Sequence, residues 1–309
     1  MQAILTIAFP VFALIATGFW AGRRGVLGPA GTAVLSGFTT WFALPAMLFA
    51  ALARVDIATI LNLPFVAIYG GSMVITFAAG MLAARLVSRA GPAHMSVHGL
   101  SAAFGNVGYM GIPLCVSAFG PAGVLPATLS VCIGGAGMMS IAIIIIEAGR
   151  HQGGNVAHKV GLAVLRSPIL QSVAAGMLVG GLGLPIPTAI LRFLDGLAAA
   201  AGPCALFAIG HFLSEQGLPK RRAEVWLAVA GKMLLQPLAA LALLQFFPDL
   251  PPIWSKSALL LAALPSAANC FVLAQEYASF VEGASATILL STLISVATVT
   301  ALVVILGIG

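Results

Sequence analysis

The stretch SAAFGNVGYMGIPL, residues 101–114, sets three glycines, an asparagine and a proline into the middle of an apolar run. Runs of this kind, about 20 residues long, match the length an α-helix needs to cross the hydrocarbon core of a bilayer, and they recur along the whole chain. Residues 101–114 would spoil such a helix at mid-depth. Pro113 removes a backbone donor and crowds the carbonyl of Tyr109, four residues earlier. Gly105, Gly108 and Gly111 lower the cost of leaving helical geometry. Backbone groups freed at that depth are costly unless protein or a water-filled cavity meets them. A broken helix is therefore expected here, facing something polar.

The surrounding composition leaves one class of protein. Of the 309 residues, 61% are hydrophobic and only 7% are charged, with a mean hydropathy of +1.10. A soluble protein of this length needs far more charge to cover its surface. The chain reads as an all-α polytopic membrane protein with no room for a soluble domain. Its first span is too long, and lacks the cationic start, for a cleaved signal. The net charge of +6 sits in short loops, where it sets orientation in the membrane and not affinity for nucleic acid. Cys115, Cys132, Cys204 and Cys270 lie singly in apolar stretches, so packing is their expected role, with no disulfide, metal or cofactor.

Ten spans are expected, near residues 3–22, 31–52, 64–87, 96–117, 122–146, 165–184, 188–212, 223–247, 255–276 and 283–306. Loops after odd-numbered spans hold ten of the fourteen cations, from Arg23 and Arg24 to Lys220, Arg221 and Arg222. Opposite loops hold Arg54, Arg192 and Lys256. The bias places both termini on the non-cytoplasmic side of the cell (inner) membrane. The two halves also repeat. Pro10, Gly18, Gly22, Gly25 and Pro29 return 158 positions later as Pro168, Gly176, Gly180, Gly183 and Pro187, and LPAMLFA (44–50) answers GPCALFA (202–208) in the same frame. The expected organisation is a first five-helix repeat over 1–150, a short cytoplasmic linker over 151–164, and a second repeat over 165–309. Five spans per copy is an odd number, so the second copy enters the membrane inverted. Inverted repeats mark secondary transporters with sites near the bilayer midplane.

The partner of residues 101–114 in the second half is LLAALPSAANCFVLAQEY (260–277), again an apolar run broken by proline and asparagine, with Pro265 crowding the carbonyl of Leu261. A helix that stops and restarts offers free N–H groups and a partial positive charge at its new start, which favours anions. Asn106 and Asn269 can add amide donors without a full charge, and Ser266 a hydroxyl; the asparagines could equally cap the breaks. Gly105, beside Asn106, joins this candidate binding set. So do Lys232 and Gln236, a pair at i, i+4 on one face of the eighth span. Lys232 either faces the site as a fixed cation or snorkels to the cytoplasmic headgroups. Gly108, Gly111, Pro113 and Pro265 are the helix-break residues. His98, His211, Glu147 and Glu276 fall near helix ends, where solvated faces are expected.

FGNVGYMGIPL and ALPSAANCFVLAQEY resemble segments of the auxin efflux carrier family, with ALPAMLF and KMLLQP adding support. Bacterial members of that family include malonate and malate transporters. The resemblance covers essentially the whole chain. It implies ten helices in two inverted repeats, broken fourth and ninth helices that cross, a moving domain, and a scaffold that often dimerises. It would also place Asn106, Pro113, Pro265 and Asn269 beside the substrate carboxylate. Plant members put proline directly after the crossover asparagine, whereas Val107 and Cys270 stand there in this chain, and the long central loop is reduced to about 147–164. A small organic anion is thus the expected substrate, the bilayer and a homodimer are the expected partners, and auxin itself is not favoured. No acidic dyad, serine nucleophile motif or zinc cluster supports an enzyme. Two rivals are a sodium-coupled symporter resembling bile-acid carriers and an anion receptor that does not transport.

Overall fold

The computed structural model describes residues 9–28, 30–54, 62–149, 161, 165–215 and 223–308. Most of the predicted linker, with Arg150 and Lys159, lies outside the described residues, as do Lys220, Arg221, Arg222 and the side chain of Glu276. The described residues are all-helical, with no β-strand among them. Their helices are α1 (Phe9–Arg23), α2 (Gly31–Leu52), α3 (Leu63–Ser88), α4 (Pro92–Ala103), α5 (107–119) and α6 (124–149), then α7 (Pro168–Gly181), α8 (Thr188–Glu215), α9 (Ala223–Leu244), α10 (Pro252–Ala262), α11 (Asn269–Glu276) and α12 (Val281–Ile305). Six helical stretches among them are long and apolar enough to cross a membrane: α2, α3, α8, α9, α12 and the run from Val107 to Gly149, which holds α5 and α6.

Local sequence explains where these helices begin, end and widen. Asn62 accepts the N–H of Phe65 at 2.9 Å and starts α3, and Ser167 accepts that of Leu170 at 3.4 Å and starts α7. Helix α1 ends with Val26 N–H on the Ala21 carbonyl and Gly25 N–H on that of Gly22, both at 3.0 Å. In α7 the same closure joins Leu184 to Val179 and Gly183 to Gly180, each at 3.1 Å. Gly25 and Gly183 take φ of +66° and +59°, the left-handed turn that this closure needs and that glycine adopts without penalty. Every residue of the second closure lies 158 positions after its counterpart in the first.

Of five π-helical turns among the described residues, three, Thr39–Ala43, Val107–Gly111 and Gly231–Leu235, each end two residues before a proline, Pro45, Pro113 and Pro237. A proline has no N–H for the preceding turn and its ring strikes the carbonyl four residues back. A widened turn carries the helix past that clash. Pro113 therefore does not open the break in the fourth segment, contrary to the sequence expectation. The chain leaves helical geometry at Phe104–Asn106, earlier than Pro113, and α5 runs through the proline unbroken.

The helices pack as two groups. In the first, α1 lies along α8, and α2 packs on α7 and α8. A Cβ on Gly18 would sit 2.1 Å from the carbonyl oxygen of Phe207, and one on Gly176 would sit 3.0 Å from that of Phe49. Small residues let membrane helices approach this closely. In the second group α3 packs on α4, α6 on α4, and α9 on α3, α4, α10 and α12. The seam between the groups runs chiefly along α8 and α5.

Candidate functional site

The two broken segments meet. Gly105 and Ser266 face each other in an isolated antiparallel bridge. Asn106 N–H donates to the Pro265 carbonyl at 2.8 Å, and Ala267 N–H to the Phe104 carbonyl at 3.0 Å. Each break thus supplies the partner that the other lacks, which answers the cost of baring backbone in an apolar setting. Pro265 belongs here because the bridge asks it for a carbonyl and not for a donor. Ser266 ties the bridge to its surroundings: its hydroxyl donates to the Ser101 carbonyl at 2.6 Å, and its N–H donates to Ser291 Oγ at 3.0 Å.

Both restarted helices, α5 and α11, open on one cavity of about 270 Å³ at the meeting of the breaks. That is just under the range of about 300–1,000 Å³ that takes drug-sized ligands. Gly105, Asn106, Gly108 and Tyr109 line it from one side, and Ala268 and Asn269 from the other. Helix α6 and the start of α7 complete the wall, adding the hydroxyl-bearing Ser140 and Ser167. Asn106 is buried and Asn269 exposed, and neither amide side chain bonds another described residue. The backbone N–H groups of Gly108, Tyr109, Ala268 and Asn269 likewise find no acceptor among the described residues. These are the free donors of helix N-termini. Among the described residues no acidic or basic side chain lines the cavity.

Lys232 lies behind that wall, fully buried. Its Nζ donates to the Ala262 carbonyl at 2.7 Å, at the end of α10, and to Oε1 of Gln236. A Cβ built on Gly105 would come within 3.4 Å of Nζ, so a single glycine separates the ammonium from the cavity. Lys232 does not snorkel. The Ala262 acceptor is one of the free carbonyls of a helix C-terminus, which carry partial negative charge, and together with Gln236 it draws the lysine amino group inward.

The sequence-predicted residues thus divide. Gly105, Asn106, Gly108 and Asn269 line the cavity. Ser266 and Lys232 stand behind its wall with their polar groups turned to protein acceptors, and Gln236 stands there with its Oε1 on Lys232 and its Nε2 without a partner among the described residues. Gly111 lies in the π-turn of α5, and Pro113 packs on α8, 3.3 Å from where a Cβ on Gly202 would lie. His98, His211 and Glu147 are corrected from solvated to buried. His98 bonds the carbonyls of Gly80 and Glu224 at 2.8 and 2.9 Å, and Glu147 accepts from the Tyr277 hydroxyl at 2.9 Å. His98 lies mid-way along α4, which starts earlier than the sequence pattern suggested, and is covered by α3 and α9; His211 and Glu147 do lie near helix ends. The sequence marks Tyr109 only for its carbonyl, and Ser140 and Ser167 not at all; of the three side chains only that of Ser167, standing before Pro168, carries a signal, that of a helix N-cap.

The profile of the family described as membrane transport protein matches residues 3–303. The chain belongs to that family, the auxin efflux carriers. This transport protein is 33% identical over 314 residues to a Rhizobium meliloti (strain 1021) protein named "Putative malonate transporter", covering all of this chain and 98% of the relative. It is also 26% identical over 289 residues, 92% of each chain, to an "Uncharacterized transporter" of Methanothermobacter thermautotrophicus. The transporter is accordingly not an enzyme, and its helices are those of a multi-pass membrane protein.

Proposed function

We propose that this transporter is a secondary carrier for a small organic anion, a dicarboxylate of malonate size, bound in the cavity where the two breaks meet. The observation that carries the reading is the cavity's polarity among the described residues: two amide side chains without a described partner and the first N–H groups of two helices open on it, no described carboxylate lines it, and the buried amino group of Lys232 stands behind Gly105. Such a site holds negative charge by fixed dipoles. The name borne by the Rhizobium relative supports the choice of malonate.

The carrier reading includes ten membrane passes in two inverted repeats, 1–150 and 165–309, with both termini outside the cytoplasm. Helices occupy each of the ten segments marked in the sequence, counting α4 with α5 and α10 with α11 as single broken passes. The matched helix closures of α1 and α7 support the repeat. So does reciprocal packing: Gly18 meets Phe207 and Gly176 meets Phe49, and the second pair is the first with its copies exchanged. In this reading the α1, α2, α7 and α8 group is the scaffold, which pairs in a homodimer. The other group moves past it and exposes the cavity to alternate sides.

Uptake of radiolabelled malonate into proteoliposomes tests the site. Loss of one hydrogen bond to a charged group costs about 1.5–3 kcal/mol. Asn106→Ala and Asn269→Ala should each therefore raise the half-saturating concentration by roughly ten- to a hundredfold. Saturable uptake that survives unaltered in the double variant would remove the cavity from the mechanism. Dependence of the parent's uptake on sodium would move the reading to the symporter.

A further inference from the structure

The seam between the two helix groups is apolar along most of its length, with Gly202 of α8 against Pro113 of α5 and Phe212 of α8 against Phe271 of α11, ring centroids 5.9 Å apart. The side-chain hydrogen bonds that join the groups among the described residues are made by one residue, Tyr109. Its hydroxyl lies 2.7 Å from Thr40 Oγ1 and donates to the Ser36 carbonyl at 3.3 Å. The two contacts are compatible when Thr40 donates to Tyr109 and the tyrosine proton goes to Ser36. Thr40 lies in the π-turn of α2 and Tyr109 in the π-turn of α5, so the bond joins the irregular turns of two helices in different groups. Tyr109 also lines the cavity, two residues beyond the start of α5.

We propose that Tyr109 is a latch that couples the cavity wall to the scaffold: its hydroxyl, gripped by Thr40 and Ser36, holds the two groups in the arrangement seen here and must let go before they slide. A polar bond across a greasy seam suits this task. Apolar side chains can slip past one another with little change in contact, whereas a hydrogen bond holds one geometry. Tyr109 is a positioning residue, acting through Thr40 and Ser36. The inference rests on the carrier reading only in requiring that the two groups move.

Hydrogen–deuterium exchange of the purified full-length protein, read over residues 202–212 of α8, tests the latch without any substrate. The ends of this stretch, Gly202 and Phe212, face the seam at Pro113 and Phe271, while the Tyr109 hydroxyl bonds α2 and not α8, so a purely local loss at that bond would leave exchange at these ends unmoved. Interhelical hydrogen bonds in membranes contribute about 0.6 kcal/mol, up to about 1.7. Tyr109→Phe and Thr40→Val should therefore each speed exchange in 202–212 by about three- to twentyfold. The double variant should go no further than Tyr109→Phe alone, because both changes remove the same bond. Thr128→Val, which deletes a hydroxyl bonded within α6, should leave 202–212 unchanged. Unchanged exchange there in both seam variants, or additive effects in the double, would overturn the latch. Thr40→Val keeps the cavity wall intact and decides the matter if Tyr109→Phe does not fold. Malonate uptake is measured separately, so a failure of the anion reading would not be mistaken for a failure of the latch.

Discussion

Lys232 is the residue at which charge and burial meet most directly. A buried ammonium with carbonyl acceptors and no carboxylate partner among the described residues adds little to stability, since desolvation offsets what its bonds return. Its position behind Gly105 gives it an electrostatic task instead. Lys232→Met should accordingly melt at the parent's temperature or above, while its apparent affinity for malonate falls about tenfold, for a loss of about 1.4 kcal/mol of interaction. Thermal unfolding and proteoliposome uptake on the same preparation check both halves. Equal losses in each would mark Lys232 as structural. Pro113 and Pro265 make a second contrast at this scale. Pro265 is part of the bridge and Pro113 is a seam residue in an unbroken helix, although the sequence shows a proline in an apolar run close to an asparagine in both.

At the scale of elements, α1 against α8 and α7 against α2 are the same contact at two tightnesses. An added methyl at Gly18 would fall 2.1 Å from a backbone oxygen, and one at Gly176 would fall 3.0 Å from its equivalent. Backbone cannot swing aside as a side chain can, and overpacking typically costs about 1–3 kcal/mol. Gly18→Ala should therefore lower the melting temperature clearly more than Gly176→Ala, in detergent at one pH. Equal effects would mean that the helices separate freely. The broken elements teach a different lesson. Residues 101–114 and 260–277 announce disruption by composition, but glycine and proline state only that a helix is weakened nearby. The position of the break was decided by which backbone groups found partners, Asn106 with Pro265 and Ala267 with Phe104.

At the scale of the whole molecule, the inverted repeat makes a prediction about sidedness. Val26 and Leu184 stand 158 positions apart in matched turns, and both are exposed, at 61% and 51%. Cysteines placed there one at a time should react with an impermeant thiol reagent from opposite faces of the membrane, Val26→Cys from the cytoplasm and Leu184→Cys from outside. Labelling of both from one face would remove the inversion. Composition and period determined the membrane class, the apolar runs, the 158-residue recurrence and the two weak places, because each is a property of residues near one another in the chain. Tertiary structure decided which weak place became a bridge, which helix carried a proline unbroken, and that Lys232, His98, His211 and Glu147 are buried. The reason is physical. In an apolar setting a polar group goes wherever a partner is found: Gln236, four positions on, was within local reach of Lys232, but the Ala262 carbonyl lies 30 positions away and the Glu224 carbonyl 126 positions from His98, beyond the reach of any local pattern.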